Sequence, residues 1–234
     1  MEDLSQWIAE NSDNILLALG LLIMMGVVIF IALYFSKKAV IMRTLQKQPK
    51  TAISSLQENQ KAKIIGKAKP ISEILMAPLS GRRCVYYNVI VEKKTGGKNS
   101  HWKDIINDEK EQDFILESYS GEAIVKMKDY KSYFVADKKY KSGHFNDPDL
   151  KLQNYLELHK QNSLDFFGFN KTLRYKEAII EVGESVAVIG LVKFEHSSNY
   201  GIETSYSKIP VLQSDAKNQL IISDDPKALI EKQV

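Results

Sequence analysis

The residues best suited to chemistry are scattered along the chain. Ser80-Gly81 offers a hydroxyl beside a glycine, but no G-x-S-x-G elbow surrounds it. Pro78 and Gly81 instead read as a tight turn feeding a strand. Cys84, the one cysteine, runs directly into Val85-Tyr86-Tyr87 and reads as a small core residue rather than a nucleophile. One cysteine excludes an intramolecular disulfide and the usual thiolate zinc sites, and fits a reducing compartment. His101, His144, His159 and His196 lie far apart with no metal-ligand spacing, and each reads as a surface or packing residue. Asp224-Asp225 precedes Pro226, where acids are favoured by exposed N–H groups at a helix start. Gly96-Gly97, between Lys94 and Lys98, reads as a hairpin tip rather than a phosphate cradle. No catalytic residue, metal or cofactor is expected from these residues.

One constellation calls for a partner. In Arg174-Tyr175-Lys176-Glu177, strand alternation places Arg174 and Lys176 on one face and Tyr175 and Glu177 on the other. A glutamate turned towards an apolar side needs a cation or a donor. Arg82 or Arg83 is the expected partner, most simply as an internal ion pair, with a ligand-binding site as the alternative.

The elements that position these residues follow from periodicity. Ala62 to Ala68, Val85 to Val91, Asp113 to Glu117, Glu122 to Met127, Tyr175 to Glu181, Ser185 to Val192 and Gln219 to Ile222 read as strands. Val85 to Val91 is apolar on both faces and is expected at the centre of its sheet. Gly183 suggests a hairpin-like reversal. Pro148 to Lys160 is expected as a helix capped by Asp147, and Ser223 or Asp224 is expected to cap a last helix opened by Pro226.

Ahead of these lies ILLALGLLIMMGVVIFIALYF, Ile15 to Phe35, 21 residues without a charge. It is long enough for the hydrocarbon core of a bilayer, about 30 Å thick. The acidic residues before it and Lys37-Lys38 after it lack the basic start and small-residue cleavage site of a signal peptide. All 32 Lys and Arg residues follow this stretch, with 25 of the 29 acids, an excess of seven cations. Lys37, Lys38, Arg43, Lys47 and Lys50 come first, with no acid before Glu58, which predicts an N-terminus outside and the bulk of the chain in the cytoplasm. The same cations suit an anionic leaflet. No basic stripe interleaved with stacking aromatics occurs, so nucleic acid is not an expected partner. The fold class expected is α+β: an N-terminal transmembrane helix, then a β-rich barrel- or sandwich-like domain with flanking helices. The organisation expected is a tail over 1–14, the anchor over 15–35, a basic stalk over 36–60 and one domain over 61–234.

Dispersed blocks carry a resemblance. Ile64-Ile65-Gly66-Lys67-Ala68, Ala77 to Tyr87 (with Pro78, Gly81, Arg82, Arg83, Cys84 and Tyr86), Trp102, Arg174-Tyr175-Lys176-Glu177, and Gly183 to Gly190 together resemble the GIDE family, whose domain is described as lying beside a membrane. Position of the anchor and order of the blocks are similar to those of prokaryotic members without a RING, over residues 50 to 232. The resemblance implies a membrane-anchored domain that recruits a protein partner. The family also carries an E3 ubiquitin ligase label, which implies ubiquitin transfer or a ligase accessory role. That chemistry resides in a RING with many Cys and His zinc ligands, against which this chain sets one cysteine. The expected function is therefore a non-enzymatic interaction or scaffold domain at the bilayer, with the ligase role as the alternative. Where the family has an acidic turn, this chain offers Glu117.

Overall fold

Apolar length decides the first element. In the computed structural model, which describes residues 11–96, 100–142, 150–161, 172–202 and 207–230, helix α1 spans Ser12–Tyr34. Its segment from Asp13 to Tyr34 has a mean hydropathy of 3.0, and its most apolar stretch is not buried by the rest of the chain. This helix is long and apolar enough to cross a membrane.

Ser36 ends it. An extended ψ of 147° breaks the helix there, and the Ser36 hydroxyl accepts from the Ala39 N–H to cap helix α2, Lys37–Lys47. Arg43 folds back across the break, donating to the Tyr34 carbonyl at 2.7 Å with its guanidinium 3.8 Å over the Tyr34 ring. Residues 36–60 are thus not a stalk. Ile41, Met42 and Leu45 are buried against Ala187, Ile189 and Ala228, each contributing at most about 1.5–3 kcal/mol. Val40 remains exposed. Farther on, Lys50 bridges to Lys63, and Ile53 and Leu56 enter the domain core. An amphipathic α2 folds onto the domain because its apolar stripe is too short for lipid and wide enough for a sheet.

The strands in chain order are β1 (Lys61–Pro70), β2 (Leu75–Met76), β3 (Arg83–Lys94), β4 (Trp102–Glu111), β5 (Phe114–Ser118), β6 (Gly121–Val125), β7 (Tyr130–Tyr133), β8 (Lys138–Ser142), β9 (Leu173–Glu181), β10 (Ser185–His196), β11 (Lys208–Gln213) and β12 (Leu220–Ser223). Five of them close a small barrel in the order β1-β5-β6-β11-β10, with β10 returning to β1. The pairs are antiparallel except β6 with β11, the winding of an OB-type barrel. Ala62, Ile64, Phe114, Leu116, Val186 and Val188 fill its interior. Gly66 sits at the β1–β5 seam, where an added Cβ would run into the Glu117 carbonyl. β12 and then β7 extend β10 beyond the closed ring.

A second sheet is built from the two long insertions of that barrel. β3 lies at its centre, as expected, between β9 on one edge and β4 with β2 on the other, and β8 continues beyond β9. Helix α3, Leu150–Leu158, packs Leu152, Tyr155 and Leu156 on Val89, Val91, Leu173 and Tyr175. Asp147 and Pro148, expected to open it, lie outside the described residues, as do Gly97, His144 and the residues before Asn11.

Two expectations are corrected here. Gly183, at φ +91°, does not close a hairpin, because β9 and β10 never pair. It carries the chain from one sheet to the other, in a turn where its own N–H bonds to Ala68 and that of Val182 to Arg83. Helix α4, Pro226–Leu229, is capped not by Ser223 or Asp224 but by Asp225, whose carboxylate accepts from the Lys227 N–H.

Candidate partner-binding surface

The two faces of the second sheet separate the chemistry. On the face under α3, Glu177 is fully buried opposite Val89. Its carboxylate accepts from the backbone N–H groups of Leu79 at 2.8 Å and Ser80 at 3.0 Å. The segments Pro78 to Arg83 and Arg174 to Glu177 therefore meet as expected, but the partner is the turn's backbone and not a guanidinium. Gly81, at φ +70°, lets that turn close. Arg82 bonds instead to Asp137 at 2.7 Å and Glu181 at 2.8 Å, which ties the loop before β8 to the end of β9. Arg83 is exposed and pairs through its backbone with Met76. Cys84 is buried, and burial pushes its thiol up to about 11, so it is not a thiolate near neutral pH. These residues fix a joint between turn, sheet and loop.

Other expected residues serve the fold as well. Tyr86 is buried with its ring 4.4 Å from that of Phe134 and its hydroxyl 2.8 Å from Glu109; burial raises its pKa. Gly190 lies where a Cβ would collide with Leu220. His159 packs on Tyr155, ring centres 4.6 Å apart. Glu117 forms an ion pair with Lys69. Lys38, expected at the lipid surface, is exposed and reaches the Tyr133 hydroxyl at 2.8 Å and Asp225 at 3.5 Å.

The opposite face sets Tyr86 and Ile180 into the barrel core at one end and gathers charges at the other. The register sets Lys139 opposite Lys176, and Lys141 opposite Arg174. Across β3 it sets Glu92 opposite Arg174 and Lys94 opposite Trp102. Arg174 holds Glu92 in a two-pronged bond at 2.5 Å and stacks 4.3 Å over the Trp102 ring, while Lys176 lies 3.5 Å from the same carboxylate. The Arg174 bond holds Glu92 below the usual carboxylate range, and the same pair raises Arg174. Lys139, Lys141, Arg174 and Lys176 line a shallow trough of about 430 Å³. Sequence reasoning named Trp102 and Arg174, and placed Lys176 on one face with Arg174, but missed Glu92, Lys139 and Lys141. The alternation in Lys139-Tyr140-Lys141 was a readable signal, masked because β8 lacks apolar residues.

Among the described residues, no group of three or more His, Cys, Asp or Glu side chains is arranged to hold a metal ion. No family model, no curated protein and no solved structure matches this chain.

Proposed function

We propose that this chain is a membrane-anchored, non-enzymatic interaction module, with α1 in the bilayer, its N-terminus outside, and the barrel with its second sheet in the cytoplasm, where it recruits a protein partner. The observation that carries the reading is the continuity from anchor to domain. The Ser36 cap, the Arg43–Tyr34 contact and the burial of Ile41, Met42 and Leu45 leave no flexible spacer between α1 and the barrel. A module fixed in this way presents the same surfaces to the bilayer and to a partner each time. Lys37, Arg43, Lys47 and Lys50 flank the membrane end and favour the cytoplasmic side and an anionic leaflet. The resemblance to prokaryotic GIDE-type domains supports the same assignment. Reporter fusions after Val234, combined with alkaline extraction of membranes, test it: the protein stays in the pellet and the fused reporter is active in the cytoplasm. A soluble protein, or an extracytoplasmic reporter signal, overturns it.

A further inference from the structure

Helix α2 has two sides, and only one of them meets the barrel. Ile41, Met42 and Leu45 are buried beside Ala187, Ile189 and Ala228, while Val40, Arg43 and Lys47, spaced by three and four residues, share the side turned away. Arg43 shows what that side faces. If α2 continued α1 in a straight line, the nine residues from Tyr34 to Arg43 would rise about 14 Å, beyond the reach of an arginine side chain, yet the Arg43 guanidinium donates to the Tyr34 carbonyl and lies over its ring. The chain therefore turns sharply at Ser36, and α2 crosses the end of α1 with its outer side towards Tyr34. Phe30, Tyr34 and Phe35 form an exposed aromatic cluster at that end, the residue type that collects at membrane–water boundaries. No Asp or Glu occurs from Asn14 to Gln57, and no carboxylate pairs with Arg43 or Lys47 among the described residues.

We propose that the outer side of α2 lies on the headgroups of an anionic leaflet, with Arg43 and Lys47 on lipid phosphates and Val40 in the interfacial layer between them; the proposal rests on α1 being the membrane anchor. Arg43 is ordered in advance. Its bond to Tyr34 uses one N–H, its contact with the ring holds the guanidinium plane, and the remaining donors are free for a phosphate. One apolar residue would not hold a free helix on a bilayer, but α1 keeps this one there, so the cations are left to select the lipid. Each cation near the surface favours an anionic lipid about fivefold. A protein partner would need room between α2 and the bilayer, which the Arg43–Tyr34 contact closes.

The test uses the full chain in nanodiscs, in a C84A background with a bimane fluorophore on V40C, and lipids carrying a nitroxide near the top of the acyl chain as quenchers. Nitroxide-labelled phosphatidylglycerol is expected to quench the V40C probe more than labelled phosphatidylcholine at equal fraction, and the difference is expected to shrink as salt rises. K47Q, which leaves the Arg43–Tyr34 contact in place, is expected to lower that selectivity about fivefold, and R43Q/K47Q to abolish it. A probe on K208C, opposite His196 and so about 20 Å along β10 from Ile189, is expected to stay unquenched. Equal quenching of V40C by the two lipids, unchanged selectivity in K47Q, quenching of K208C as strong as that of V40C, or a disulfide joining two V40C copies overturns the proposal. A probe on M24C, with the nitroxide at the end of the acyl chain, separates the two readings. If M24C is quenched and V40C is not, the anchor stands and this surface is wrong; if neither is quenched, the anchor reading itself falls.

Discussion

Glu177 shows how far single residues could be read. Its position on the apolar side followed from alternation, and so did its need for a partner. The partner did not, because a carboxylate is satisfied by amides as well as by a guanidinium, and only the fold decides which is nearer. Glu177→Ala strips the acceptor from the buried N–H of Leu79 and the half-buried N–H of Ser80 and is expected to cost about 2–3 kcal/mol, whereas Glu177→Gln keeps an oxygen and costs about 1 kcal/mol. Chemical denaturation reads both, and equal losses would show that the charge has no part in the joint. Asp224 has a different consequence. It is buried, accepts from the Val135 N–H at 2.9 Å, and is pushed up to about 7, by burial first and then by Glu184 and Asp137. With its folded value above the unfolded one, the folded state holds the proton more tightly. That contribution to stability is complete near pH 4 and is lost as pH rises through 7. Asp224→Asn, which keeps an acceptor for Val135, is expected to flatten the fall in stability between those limits and to raise Tm at pH 8. A steeper fall in the variant would contradict the assignment.

Elements with a clear apolar period were legible: α1, the barrel strands β1, β5, β6 and β10, and β3 as a central strand; the fifth barrel strand, β11, was not, since Pro210 interrupts its short run. Those without one were not. β4, with the sequence Trp-Lys-Asp-Ile-Ile-Asn-Asp-Glu-Lys-Glu, is a strand because β3 needs a neighbour along that edge, and β8 because β9 does. Neither need is visible in the segment itself. The exchange of sheets at Gly183 was hidden for a related reason, since a turn between two strands looks the same whether or not they pair. Docking of α2 was only half legible, as its stripe of Ile41, Met42 and Leu45 spans little more than one turn. A piece beginning at residue 36 is therefore expected to be markedly more stable than one beginning at residue 50, which would leave Ala187 and Ile189 uncovered. In the full chain, Leu45→Ala is expected to cost about 2–4 kcal/mol. Equal melting of the two pieces would mean that α2 contributes nothing. At the barrel seam, Gly66→Ala is expected to lower stability severely because the obstacle is backbone rather than a movable side chain.

At the scale of the molecule, the apolar helix α1, the clamp of α2 and the cationic sheet face form one connected series. The chain is apolar along α1, tied by Arg43 and Lys38 where that helix meets the barrel, and gathers Lys139, Lys141, Arg174 and Lys176 on one sheet face. Such a layout fits presentation of a surface at a fixed place beside a bilayer. The measurement that tests this most directly is photo-crosslinking of the full-length protein in its native membrane, with the reactive group placed at position 139 on the sheet face and, for comparison, at position 208 on the barrel. The account predicts a discrete protein adduct from position 139, formed on the cytoplasmic side and absent from position 208. Lipid adducts alone, or the same protein adducts from both positions, would contradict it.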